Sequence, residues 1–313
     1  MKKLLCLMLA VLLLALCGCN AAPQETVPPT EPVKSGPDPK EDNVMNILMI
    51  GNSFCYYYVE ELYGIAKAAG VDMRVCNVYY SGCKLEMHYN WWINGEANYE
   101  FYVTDENGRN KTAGCDLEYC LRQGNWDVIS FQDAWGVLDP QEKHWATMDA
   151  RVAERKVYRD ALIGRARELF PNAEIYWHQT WAYETGYKGS TNIETKEQQD
   201  NYTRWSKELA LRVCQEHDLK RVPTGEAWNL VRHDPLFNDT LCVSTSKNNG
   251  LGDHYHDGDL GGGQYLNACV WFEVLTGQSC IGNTWRPDYE LSEEKIAALQ
   301  QAAHQTVQNM NNP

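Results

Sequence analysis

Along the chain the spacing of apolar positions switches repeatedly between a run or a two-residue period and a helical one. Residues 46–50 ("NILMI") are continuously apolar and too short for a helix, so they read as a strand buried on both faces. "VEELYGIAKAAG" (59–70) then repeats apolar residues at helical spacing and stops at Gly70. "VDMRVCNVYY" (71–80) is rich in β-formers, and "WDVISFQ" (126–132) reads as another buried strand. A long helical stretch is predicted from about Thr147 to Phe170, ended by Pro171, followed by a strand over "AEIYWHQTW" (173–181). Helices are predicted over 196–218, over the glycine-led "LGGGQYLNACVWFEVLTG" (260–277) and over the amphipathic 292–310. Strands separated by helices of this length imply βαβ units and a mainly parallel sheet. Ligands of such sheets sit at the carboxyl ends of the strands, where Ser53, Gln132 and His178 fall. No internal repeat is evident.

The first residues follow a different rule. Lys2 and Lys3 precede an apolar run from Leu4 to Leu16 and then small residues, the pattern of a secretory signal and too short for a membrane span. Leu16-Cys17-Gly18-Cys19 resembles a bacterial lipobox, which implies removal of residues 1–18 and lipid attachment to Cys19. Residues 19–44 are rich in Pro, Glu and Thr and nearly free of large apolar side chains, so they read as a tether. The folded domain is expected over 45–313, in the bacterial cell envelope outside the cytoplasmic membrane and touching it only through the lipid.

Composition narrows the function. An apolar content of 44% with 22% charged residues is that of a globular protein with a substantial core. Loss of residues 1–18 removes two of 28 basic and none of 42 acidic residues, deepening the net charge from −14 to −16. That balance argues against nucleic acid or anionic lipid as a direct partner. Nine cysteines follow Cys19, an odd number, at spacings that match no zinc pattern; Cys115 and Cys120 are among the pairs that sequence leaves open. Eleven Trp and eighteen Tyr serve core packing first and a sugar-lined cleft second.

One constellation carries chemistry. "IGNSF" places Ser53 in a small turn between the first strand and the first helix. A serine hydroxyl reacts only when a histidine takes its proton and an acid orients that histidine. "GDHYHDGDLGGGQYL" supplies Asp253 and His256, three apart, so that in a turn the carboxylate reaches the near imidazole nitrogen and leaves the far one for Ser53. His254 lacks such an orienter, because Leu251 stands three residues before it.

"IGNSF", "SGCKLEMH", "WDVISFQ", "WHQTWAY", "PTGEAW" and "HDGDLGGGQYL" together resemble the SGNH (GDSL-type) hydrolases, over essentially all of 45–280 and closest to a bacterial branch. The resemblance implies a flavodoxin-like three-layer α/β/α sandwich, with Ser53 as nucleophile, His256 as general base and Asp253 as its orienting acid. It also implies an oxyanion hole from the N–H of Ser53, the N–H of Gly82 and a side-chain amide. Gln132 stands where the family carries a Gly-x-Asn-Asp motif, so the amide donor has one more methylene. His88, His178 and Trp181 are expected along the substrate cleft, with a satisfied surface position as the competing role of His88 and buried aromatic packing as that of His178 and Trp181.

The resulting expectation is a serine esterase that needs no cofactor or metal and removes acetyl or other short acyl groups from a small-molecule or glycan ester. Two other classes remain open: a glycan-binding lipoprotein on a hydrolase fold without turnover, and a metal-dependent hydrolase built on His254, His256 and Asp257. Against an EF-hand loop beginning at Asp253, Asp257 and Gly258 fit positions five and six, but Tyr255 and Gln264 fail at positions three and twelve, where oxygen ligands are needed.

Overall fold

The apolar run near the start becomes β1 (Met45–Gly51), buried from Ile47 onward because strands hydrogen-bond to it on both sides. The computed structural model describes residues 43–133, 147–183, 195–232, 234–237 and 262–311, within a unit that runs from Gly36 to Pro313. After β1 come a single 3-10 turn, Ser53–Cys55, then α1 (Val59–Ala68), β2 (Met73–Tyr79) and α2 (Leu85–Asn94). A hairpin follows, β3 (Tyr99–Asp105) and β4 (Gly108–Cys115), then α3 (Leu117–Leu121) and β5 (Val128–Gln132). Next come α4 (Met148–Glu154), α5 (Lys156–Leu169), β6 (Glu174–His178), α6 (Lys196–His217), β7 (Lys220–Val222) and α7 (Thr224–Val231). The last two helices are α8 (Gly263–Thr276) and α9 (Glu293–Asn311).

The seven strands form one sheet in the order β4-β3-β2-β1-β5-β6-β7. Pairs β1–β2, β1–β5, β5–β6 and β6–β7 are parallel, as the strand–helix alternation predicts. The sheet is flanked by helices: α1, α8 and α9 pack together, as do α2, α3 and α5. The chain is thus of the expected mixed α/β class. Because it moves from β1 outward to β2 and later returns to the other side with β5, the sheet has a switch point at β1 and β5, the place where sheets of this kind hold their ligands.

Two features depart from the sequence reading. The β3–β4 hairpin is antiparallel, with Asp105 opposite Gly108 across the two-residue turn Glu106-Asn107. As the outermost strand, β4 is largely exposed and carries Arg109 and Lys111, charges that discourage pairing with another chain. The helix expected over 147–170 is divided at Arg155, which takes non-helical dihedrals and whose guanidinium pairs with Asp133 at 2.8 Å. Thr147 caps the first half by accepting from the Ala150 N–H.

Candidate active site

Ser53 leads the 3-10 turn that follows β1 and is 6% exposed. The turn is held by its neighbour. Asn52 is in extended conformation, and its Oδ1 accepts from the Phe54 N–H at 3.1 Å, the N-cap bond this residue type favours. The same side chain donates from Nδ2 to the Cys83 carbonyl at 2.9 Å and accepts at Oδ1 from Gln132 Nε2 at 2.6 Å. One buried amide therefore ties together the loops after β1, β2 and β5.

Those loops carry the three expected oxyanion donors. Gly82 precedes Cys83 and sits at φ +66°, a left-handed conformation that glycine adopts without strain. Neither the Ser53 N–H nor the Gly82 N–H donates a backbone bond to a described residue. Gly51 is required for space: a Cβ there would lie 2.7 Å from Gln132 Cδ and 2.9 Å from its Nε2.

The direction of the network follows from its fixed ends. Asn52 must aim nitrogen at a carbonyl and oxygen at an N–H, so Gln132 must turn Nε2 to Asn52 and Oε1 away. Oε1 lies 3.1 Å from His178 Nδ1, the register partner of Gln132 across β5 and β6. Nδ1 then carries the proton, and Nε2 faces the Thr224 hydroxyl at 2.8 Å. That hydroxyl is also 2.7 Å from the Gln179 carbonyl, so its single proton has two acceptors. A second proton on His178 would relieve this, but burial pushes its pKa down to about 3 and keeps the ring neutral. Gln132 Nε2 has two protons, and its bond to Asn52 uses one.

Burial also disposes of a rival nucleophile. Cys55, two residues from Ser53, has its pKa raised to about 12 by burial, so it stays a thiol. Cys83 is pushed up by the same cause. All eight described cysteines of the domain are free, Cys115 and Cys120 among them.

The substrate-facing roles expected of three residues give way to interior ones. His88 is 1% exposed, meets the Tyr99 hydroxyl at 2.9 Å through Nδ1 and stacks on that ring. His178, also 1% exposed, works in the network above. Trp181 is fully buried, stacked on Trp228 at 4.8 Å and meeting Phe54 edge-on at 4.7 Å, so it backs the serine turn from behind. Large apolar rings and a short polar contact were better placed inside than on a cleft wall. Asp253, His254, His256 and Asp257 lie outside the described residues, as does Cys19.

Among the described residues a serine–histidine–acid group does occur, from α8, the segment just after it and α9. His304 Nδ1 lies 3.0 Å from Glu273 Oε2 and 3.2 Å from Ser279 Oγ. Acid and serine thus share one ring nitrogen, whereas a triad needs them on opposite nitrogens. The group staples two helices. Among the described residues no cluster of three or more His, Cys, Asp or Glu has metal-binding geometry.

Sequence reading passed over Asn52 and Thr224. Asn52 stood inside the quoted serine motif with no role of its own. Thr224 stood in "PTGEAW", with only its place after a proline to mark it.

Residues 46–306 match the family described as Domain of unknown function (DUF4886). No curated protein matches the chain. Among solved structures, a DUF4886 family protein from Bacteroides uniformis ATCC 8492 is similar at 25% identity and a TM-score of 0.69, covering 85% of this chain and 95% of that one. Axe2, an acetylxylan esterase from Geobacillus stearothermophilus, is similar at 12% identity and a TM-score of 0.42, covering 78% of this chain and 97% of that one.

Proposed function

The chain belongs to the DUF4886 family, and we propose that it is an exported serine esterase that removes acetyl or other short acyl groups, chiefly from carbohydrate. Ser53 Oγ attacks the ester carbonyl while His256 takes its proton and Asp253 holds the imidazolium. The oxyanion is met by the N–H groups of Ser53 and Gly82 and by the second proton of Gln132 Nε2. Collapse of the tetrahedral adduct breaks the bond to the alcohol, which leaves with the proton from His256. Water, deprotonated by the same histidine, then releases the acid and restores Ser53. Cys19 carries the lipid that holds the domain at the envelope.

The observation that carries this reading is the Asn52 clasp. A single side chain fixes the turn of Ser53, the loop of Gly82 and the amide of Gln132 to one another at the switch point of the sheet. Fixed donors around a hydroxyl are what acyl transfer requires, since an oxyanion is stabilised best by dipoles that need not reorganise. The carbohydrate preference rests on the SGNH resemblance, the export signal and the aromatic content.

A fluorophosphonate probe tests it. The full chain should be labelled, and Ser53→Ala and His256→Ala should not. A folded wild type that resists the probe would return the protein to the glycan-binding class. Ester turnover that a chelator abolishes, without labelling by the probe, would favour the metal-dependent one.

A further inference from the structure

Beside the serine turn lies a cavity of about 680 Å³, inside the roughly 300–1,000 Å³ usual for small-molecule sites. Tyr56, Tyr57, Trp285 and Tyr289 line it together with Glu61 and Arg109. Tyr56 and Tyr57 begin three residues after Ser53, and Glu61 is in the first turn of α1. Trp285 is seated rather than loose: its ring lies against Gly64, where a Cβ would come within 2.0 Å of Nε1, and it stacks on Tyr265.

Two polar atoms in the walls are unspent. Glu61 is 8% exposed, and its Oε2 is buried with no hydrogen-bond partner among the described residues. Arg109 Nε is likewise buried and unpartnered. Unpaired buried donors and acceptors are costly, and the usual reasons to keep them are function or an unseen partner. Both atoms lie just behind the cavity surface on residues that line it, so a small side-chain rotation brings an acceptor and a donor to a ligand that both gives and takes hydrogen bonds.

Charge selects the ligand further. Arg286 also lines the cavity, and both guanidiniums are already engaged: Arg109 donates to the Tyr56 carbonyl at 2.9 Å, stacks on the Tyr56 ring at 3.8 Å and pairs with Glu60, while Arg286 forks onto Glu293. They offer little to an anion. Burial raises the Glu61 pKa to about 8, so its own carboxyl is neutral at pH 7. Glu60 and Asp288 also line the cavity, with Glu60 paired to Arg109 and Arg286 two residues before Asp288, so cations and carboxylates share the wall and leave no strong excess of either sign. Aromatic faces carry negative charge and accept the slightly positive C–H face of a sugar ring. Hydroxyls of the same ring can meet Glu61 and Arg109.

We infer that this cavity is a subsite for a neutral saccharide ring, held between Tyr56, Tyr57, Trp285 and Tyr289 and hydrogen-bonded by Glu61 and Arg109. It deepens the esterase reading by placing a sugar unit of the substrate away from the reacting carbonyl, and it rests on that reading only for its purpose.

The test is binding, with turnover measured separately. Full-chain protein labelled with ¹⁵N at tryptophan is titrated with xylotetraose, cellotetraose and mannotetraose, with the Trp285 indole signal assigned through Trp285→Phe. At least one tetrasaccharide should shift that signal saturably. Glu61→Leu and Tyr57→Ala should each weaken binding by about tenfold, with fluorophosphonate labelling of Ser53 unchanged. No saturable shift at millimolar saccharide would overturn the inference, as would saturation by adenosine with none by the sugars. Because labelling is scored independently, loss of sugar binding and failure of the esterase reading give different patterns.

Discussion

If Gln132 and His178 are bonded as described, replacing both should cost less than the sum of replacing each. In Gln132→Met, His178 Nδ1–H loses its acceptor and Asn52 Oδ1 loses one of two donors, keeping the Phe54 N–H. A stranded buried N–H costs about 1–3 kcal/mol and a lost neutral hydrogen bond about 1 kcal/mol, so the variant should lose about 2–4 kcal/mol. In His178→Leu, Gln132 Oε1 is left bare inside the core while Thr224 still reaches the Gln179 carbonyl, again about 1–3 kcal/mol before any packing loss. The double variant strands neither partner against the other, so it should fall short of additivity by both stranding costs together, about 2–6 kcal/mol. Urea unfolding at pH 7.5, with midpoints compared at unchanged slope, measures all three. Additivity to within about 0.5 kcal/mol would refute the bond and the directed network with it. On the esterase reading, Gln132→Met should also lower kcat by about 10²–10³, the cost of one oxyanion donor.

Three further outcomes follow from buried groups. His88 and His178 both have folded pKa values lowered to about 3, so below the unfolded value of about 6.5 the unfolded chain binds more protons. Stability should therefore be full above that pH and fall as pH drops toward 3, by roughly 1.4 kcal/mol per pH unit for each group; His88→Gln should remove its share of the slope, and an unchanged slope would argue against it. Glu61 works in the opposite sense: its folded pKa is raised, so its favourable contribution is complete below about 4.3 and is lost as pH rises through about 8. Melting curves should show Glu61→Gln gaining on the wild type across that window and holding level above it; equal melting at pH 4 and pH 9 relative to the wild type would contradict the buried neutral carboxyl. Gly51→Ala drives a methyl into the Gln132 amide, which should cost about 1–3 kcal/mol and slow fluorophosphonate labelling; retention of the wild-type rate would show that Gln132 is not tied to the reaction.

Short-range patterns settled the elements but not their partners. The sequence determined β1, β5 and the helices of the parallel half, because apolar period and turn residues are local and each such segment has one good way to bury its face. It marked Ser53 by the small turn at a strand end, and the motif resemblance proposed its partners. Only the tertiary structure decided that Asn52 would clasp the loops of Gly82 and Gln132, since hydrogen bonds between residues 31 and 80 positions apart depend on strand order and register. The same holds for His178: its neighbours in sequence suggested a cleft wall, while its register opposite Gln132 put it inside the sheet's polar network. Strand order is a global choice, made when all the faces are buried at once, and no window of local sequence contains it.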